Sequence, residues 1–146
     1  MADGMDVKFE GLEQLMRRLE ASPTEVLRAS EGALVVEAEQ TMTEAKVLTP
    51  VDEGTLRSSG HVRKPTLTKD SVSVEFGFGG PAGTGNTGPT NDKDVGYAVP
   101  VHEDLTAHHN PPTQAKYLET PLNRRKARFG ERFARRVERR IRRFRS

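Results

Sequence analysis

Apolar positions along this chain change period more than once, and each change marks a boundary. Val7 and Phe9 alternate with Lys8 and Glu10, the pattern of a short strand, before Leu12, Leu15, Met16 and Leu19 recur on one helical face. Ser22-Pro23-Thr24-Glu25 then supplies a helix start: Ser22 caps, Pro23 occupies the first turn and Glu25 closes a capping box. Leu27, Leu34, Ala38, Met42, Ala45 and Leu48 hold one stripe as far as Pro50, whose ring disfavours helix before it, so a helix of about 26 residues is expected. Gly32 is the weak point inside it.

Thr49 to Ser59 reads as a turn and a brief helical segment in which Asp52 caps the amides that follow. Val72, Val74, Phe76 and Phe78 alternate with Ser71, Ser73, Glu75 and Gly77 and form the clearest strand; His61 to Arg63 is its expected antiparallel neighbour, across a connection from Lys64 to Asp70. From Gly79 to Asp94 no apolar period remains, which predicts a long mobile loop. Its candidate subunit-contact positions are Gly79, Gly80, Asn86, Asn91 and Asp94, because so long a loop is uncommon in a compact domain unless it contacts something.

Gly96 to Glu103 suits only an edge strand, since Pro100 has no amide for a central ladder. After Asn110-Pro111-Pro112, Thr113 is placed to cap a helix beginning at Gln114 that Pro121 kinks. Phe129, Phe133, Val137, Ile141 and Phe144 continue a narrow apolar stripe to the end. The expected fold class is α+β, with a short N-terminal helix, a long helix, an antiparallel sheet and a basic C-terminal helix. Residues 1–122 form the expected body and 123–146 an arginine-rich helical extension.

A length of 146 residues fits one domain with a single modest core. That core is expected to be thin, because only 34% of residues are apolar and there is no Trp, and sharing surfaces with other subunits would compensate. The absence of Cys excludes disulfides, thiolate metal sites and Cys nucleophiles. No run approaches the roughly 18 apolar residues of a membrane span, and Met1-Ala2-Asp3-Gly4 lacks the regions of a signal peptide, so the reading is a protein made and used in solution, with no membrane partner.

Charge changes the picture most. Asn123 to Ser146 carries eleven arginines and Lys126 against Glu131 and Glu138, a formal +10, while residues 1–122 sum to −8. Along about 36 Å of helix such a run repels itself unless a counter-charged surface relieves it. Arg135, Arg136, Arg139, Arg140, Arg142 and Arg143 are the candidate contacts, to nucleic acid or to an acidic partner, with the apolar stripe packing on the protein. No zinc finger, aromatic stacking sheet or helix-turn-helix accompanies them, so contacts to nucleic acid would be to phosphates and indifferent to sequence.

Other candidate chemistry is weaker. His102, Glu103, Asp104, His108 and His109 are dense in ligand types, but their spacing is not that of a helical zinc site and Asn110-Pro111-Pro112 breaks any helix there. Asp52 and Glu53 are better read as a capped turn. The Gly79 to Gly85 run lacks the Gly-Lys-Ser/Thr ending of a phosphate loop, and no Ser sits in a nucleophile elbow. Neither an enzyme nor a cofactor or metal is expected.

The order of these motifs resembles the minor tail-component family of long-tailed bacteriophages and prophages over about Val7 to Leu122. Its most specific parts are Pro-Val-Asp-x-Gly-x-Leu-Arg-x-Ser from Pro50 through Asp52, Gly54 and Leu56 to Ser59, and Tyr-Ala-x-x-Val-His-Glu from Tyr97 to His102 and Glu103. Gln114-Ala115-Lys116-Tyr117-Leu118-Glu119-Thr120-Pro121-Leu122 completes the series. The resemblance implies an antiparallel sheet against a long helix, and a virion structural protein of the head-tail junction: a tail completion, neck or tail-terminator-like subunit ringing the DNA channel. It implies a homo-oligomeric ring of six, alternatively twelve, that meets other neck, portal-side or tail-tube proteins and lies near genomic DNA. Such a protein is made in the host cytoplasm and ends in the virion. The alternative is a small sequence-independent nucleic-acid-binding protein in which the basic helix is the whole function. Deletion after Leu122 is then expected to abolish all interaction, whereas a ring subunit would keep its oligomer.

Overall fold

A computed structural model describes residues 2–8, 12–50, 55–69, 71–79, 103–106 and 109–145. Its elements are β1 (Ala2–Lys8), α1 (Leu12–Leu19), α2 (Pro23–Leu48), α3 (Thr55–Ser58), β2 (His61–Val62), β3 (Thr66–Leu67), β4 (Ser71–Gly77), α4 (Glu119–Lys126) and α5 (Phe129–Phe144). The fold is α+β: α2 lies against a small antiparallel sheet on one side and α5 on another. The 26 residues of α2 begin where the sequence places the start, with both halves of the capping box formed. Ser22 Oγ accepts from the Glu25 amide at 3.2 Å, and Glu25 Oε2 accepts from the Ser22 amide at 2.7 Å.

β4 is the centre of the sheet. β1 pairs with its whole length, from Ala2 opposite Gly77 to Lys8 opposite Ser71; β2 and β3 share its other edge. The expected neighbour His61–Arg63 is thus present, and the Arg63 amide extends the ladder by donating to Glu75 O at 2.8 Å. Two boundaries differ from expectation. β1 starts at Ala2 rather than near Val7, because full backbone pairing with β4 compensates the poor strand propensity of Ala2-Asp3-Gly4. The connection after Lys64 contains β3, and beyond it the Thr68 amide donates to Ser71 O at 2.9 Å.

Alternation on β4 is as read: Val72, Val74 and Phe76 are buried and Glu75 is exposed. The buried face of α2 is wider than one stripe, and adds Val26, Ala29, Ala33, Glu37 and Thr41 to Leu34, Ala38, Met42 and Ala45. A helix covered by a sheet and by a second helix needs this width, and small residues provide it without an obvious apolar signal. Gly60 marks a close approach: a Cβ there would lie 2.8 Å from Met42 Sδ and 2.9 Å from Phe78 Cε1.

The 50–59 motif serves packing where it is described. Leu56 is buried, Arg57 donates to Thr49 O at 3.0 Å beyond the end of α2, and Ser59 Oγ accepts from the Gly79 amide at 3.0 Å, tying the motif to the exit of β4. Pro50 is half-buried, while Asp52 and Gly54 lie outside the described residues.

The helix expected from Gln114 begins instead at Glu119. The stretch before it is diverted to close α2: the Gln114 amide donates to Leu48 O at 2.9 Å, Lys116 takes a positive φ of 56°, and Tyr117 and Leu118 enter the core. Tyr117 meets Phe78 edge-to-face at 5.0 Å. Pro121 does not kink a helix; it sits in the first turn of α4, where a missing amide costs nothing, and the chain bends later at Ala127–Arg128. The division expected between 122 and 123 therefore passes through α4, and Phe133, Val137 and Ile141 of the second segment belong to the core. Phe144, expected on the same stripe, is 60% exposed. Phe144 shares the helical face of Val137 and Ile141 but is the last residue of α5, at the end of that stripe.

Candidate functional site

α5 is amphipathic with an unusually unequal division: an apolar stripe three residues long, and arginines over most of the remaining circumference. The stripe lays α5 on α2, and the ion pairs show the two running antiparallel. Arg125 reaches Glu44, Arg132 reaches Glu37 and Arg145 reaches Glu25.

At the centre is Glu37, a carboxylate with no exposed surface. Arg132 donates to it twice, Nε to Oε1 at 2.9 Å and Nη2 to Oε2 at 3.1 Å. Arg125 Nη2 approaches at 3.3 Å and Arg136 Nε at 3.5 Å. Burial pushes the Glu37 carboxyl upward, but the Arg132 hydrogen bonds and the charges of Arg125 and Arg132 outweigh it, so the group is held below its ordinary value. Gln40 and Glu44 extend the cluster: Arg136 Nη2 donates to Gln40 Oε1 at 3.1 Å, and Arg125 Nη1 to Glu44 Oε1 at 2.7 Å. At the far end Arg145 donates to the carbonyls of Leu19 and Glu20, closing the end of α1. On the opposite flank Glu138 accepts from Arg18 at 2.9 Å and from Arg142 at 2.7 Å.

The six candidate arginines thus divide. Arg136 belongs partly to the internal cluster. Arg140 lies across Gly32, where a Cβ would stand 2.4 Å from its Nη1; the weak point of α2 is the place where a guanidinium rests on bare helix. Arg135, Arg139, Arg142 and Arg143 are exposed, and Arg135 stands 3.8 Å from Glu131. The sequence reading sought the counter-charge outside the subunit, and part of it is inside, on α2. One signal marked it: Glu37 falls among Leu34, Ala38 and Thr41 on the inward side of α2, where a carboxylate must have a cationic partner.

Of the other candidates, Glu103 is exposed and paired with Lys116, which also reaches Glu119 at 3.2 Å, so two segments of the sequence resemblance meet through Lys116. The hydrogen bond to Glu103, with a smaller contribution from Glu119, outweighs desolvation and raises the Lys116 ammonium above its ordinary value. Gly79 is described, with a positive φ of 71° that favours glycine. Gly80, Asn86, Asn91, Asp94, Tyr97, His102 and His108, with the expected edge strand before Glu103, lie outside the described residues. Among the described residues no group of three metal-ligating side chains is placed to hold an ion, and no helix is long and apolar enough to cross a membrane.

A family model described as "Bacteriophage HK97-gp10, putative tail-component" matches residues 13–120. The matched stretch runs from α1 into the start of α4 and stops before α5. No curated protein and no solved structure matches the chain.

Proposed function

The chain belongs to the HK97-gp10-like family of phage tail components, and from that membership we propose that it is a subunit of the head-tail junction. In this reading it is a tail completion, neck or tail-terminator-like protein of the virion, with a structural and not an enzymatic role, that closes into a ring around the DNA channel. The observation that carries the reading is the outer face of α5. Arg135, Arg139, Arg142 and Arg143 are exposed on a helix fixed to the body by its own core residues, with Arg135 and Arg142 also pairing with Glu131 and Glu138 of the same helix. A rigid cationic surface on a ring subunit suits the wall of a channel through which a phosphate polymer passes.

Ring closure is part of the same proposal, since a heterologous contact repeated around an axis leaves no open end. Six copies match tail symmetry, with twelve, the symmetry of a portal ring, as the alternative. The segment Gly79 to Asp94 is the proposed contact to a neighbouring subunit or to adjoining neck, portal-side or tail-tube proteins. Imaging of assembled particles tests this: six or twelve copies around the channel axis are expected, and single copies, or a position on the outer tail surface away from DNA, would remove it. A sequence-independent nucleic-acid-binding protein acting alone is the second reading, favoured by the same face, and it requires the protein to be absent from mature particles.

A further inference from the structure

Two recesses lie side by side on α5. One, of about 180 Å³, is lined by Arg132, Arg135, Arg136 and Arg139. The other, of about 160 Å³, is lined by Val36, Arg136, Arg139, Arg140 and Arg143. They share Arg136 and Arg139 and are offset by about one helical turn, roughly 6 Å along the axis. Every charged group in their walls is a guanidinium, whose planar fork matches the paired oxygens of a phosphate better than an ammonium does.

Two features beneath the recesses hold these walls. Glu37 fixes Arg132 through two hydrogen bonds and stands 3.5 Å from Arg136 Nε, so a carboxylate out of reach of solvent sets part of the first wall. Gly32 does the same for the second: with no Cβ, it lets the Arg140 guanidinium settle where a methyl group would be 2.4 Å from Nη1 and 2.6 Å from Cζ. Glu37 also docks α5 on α2, and both arrangements hold guanidinium groups in place before any ligand arrives, from which an oxyanion site gains because less is lost in ordering them on binding.

We propose that this flank of α5 is a built oxyanion site whose two adjacent seats take successive phosphate groups of a nucleic-acid backbone, with Glu37 and Gly32 acting as positioning residues. The choice of nucleic acid over another polyanion rests on the channel reading above, and seats repeated one turn apart suit a polymer with regularly repeated charge. Glu37 separates positioning from simple attraction by sign. Removing its charge makes the face more positive, so attraction alone predicts tighter binding by Glu37→Gln, and positioning predicts weaker binding.

The test uses the full chain and a fluorescent mixed-sequence duplex, with anisotropy read across a salt series. Gly32→Ala keeps every charge and displaces only the Arg140 head group; it is expected to lower affinity about tenfold, the worth of one charge-assisted contact. Arg139→Gln with Arg143→Gln is expected to flatten the salt slope by about 1.8, two phosphate contacts. Glu39→Gln, at an exposed carboxylate of α2 that lines neither recess, is the charge control and is expected to hold or tighten binding while Glu37→Gln weakens it. Thermal unfolding reports on the fold of each variant, and if Glu37→Gln does not fold, Gly32→Ala still decides. Wild-type affinity in a folded Gly32→Ala protein would overturn the proposal, as would an unchanged salt slope in the double variant. So would displacement of the duplex by polyglutamate of equal charge at lower concentration, which would assign the site to an acidic protein. Because binding is read on the isolated protein, any of these results leaves the ring reading standing, and that reading fails separately in the particle.

Discussion

Arg132 meets Glu37 side-on, Nε to Oε1 at 2.9 Å and Nη2 to Oε2 at 3.1 Å, and the same Nη2 donates to Arg125 O at 2.7 Å. One guanidinium therefore joins α2, the end of α4 and α5. A buried carboxylate that loses its cations, or cations that lose their carboxylate, are left uncompensated in a region of low dielectric, and breaking such a pair costs about 3–5 kcal/mol. Glu37→Ala is expected to destabilise the fold by this amount in urea unfolding. A loss below about 1 kcal/mol would reduce the cluster to the rank of a surface ion pair.

The same cluster sets an acid limit. Glu37 is held below its ordinary 4.5 because its arginine partners outweigh the upward push of burial. Glu25 is lowered chiefly by the Ser22 amide and Glu138 chiefly by the Arg142 hydrogen bond. A carboxyl whose folded value lies below its unfolded one stabilises the protein above the unfolded value, and that stabilisation is lost as pH falls through the folded value. Stability is expected to decline as pH drops below 4.5, and less steeply in a folded Glu37→Gln variant. Denaturant titrations at stepped pH check this; a protein that gains stability on acidification over that range contradicts it.

Local signals carried much of the fold, and the tertiary exceptions lie where one segment completes another. The capping box at Ser22 and Glu25 and the alternation of β4 are interactions between near neighbours, so the sequence displays them directly. Thr113 is different. Its surroundings read as a helix start, but the amide of Gln114 is needed by Leu48, a partner 66 residues away in the chain, and α4 begins later. Glu37 is the corresponding case for the site. The charge imbalance of the arginine helix was plain, yet net charge counts residues without pairing them, and the pairing of Arg125 and Arg132 with a carboxylate on α2 depends on the antiparallel lie of the two helices.

Gly60 is expected to resist substitution. A methyl group there would meet Lys46 Cε at 2.6 Å, Met42 Sδ at 2.8 Å and Phe78 Cε1 at 2.9 Å. The lysine can swing away, but Phe78 is fully buried and packed edge-to-face on Tyr117, so its ring cannot yield without disturbing the core. Gly60→Ala should cost about 1–3 kcal/mol, the usual range for overpacking. A melting temperature equal to that of wild type would show that the α2–β4 contact is looser than the distances indicate.

Ile141 and Phe144 make a paired test of the stripe on α5. Ile141 is 1% exposed and Phe144 60% exposed, although both are large, apolar and three residues apart. Ile141→Ala removes buried methyl groups and should cost about 2–5 kcal/mol. Phe144→Ala should fall within about 0.5 kcal/mol of wild type, as for other surface changes. Equal losses at the two positions would mean that the last turn of α5 is as well covered as the turn before it.

Removal of Asn123 to Ser146 decides whether α5 is an appendage or part of the body. The truncated chain loses Phe133, Val137 and Ile141 from the core, and Glu37 keeps its charge with neither Arg125 nor Arg132 to meet it. Three core side chains at about 2–5 kcal/mol each, with an unpaired buried carboxylate added, match or exceed the roughly 5–15 kcal/mol that holds a domain of ordinary stability together. The shortened protein is therefore expected to show no cooperative thermal transition and to be digested rapidly by trypsin. For that reason, loss of oligomer or of nucleic-acid binding on truncation would not distinguish a ring subunit from a simple carrier of the basic helix. A truncated body that melts cooperatively near the wild-type temperature would show instead that the sheet and α2 stand alone, and that the contacts made by α5 contribute little to the fold.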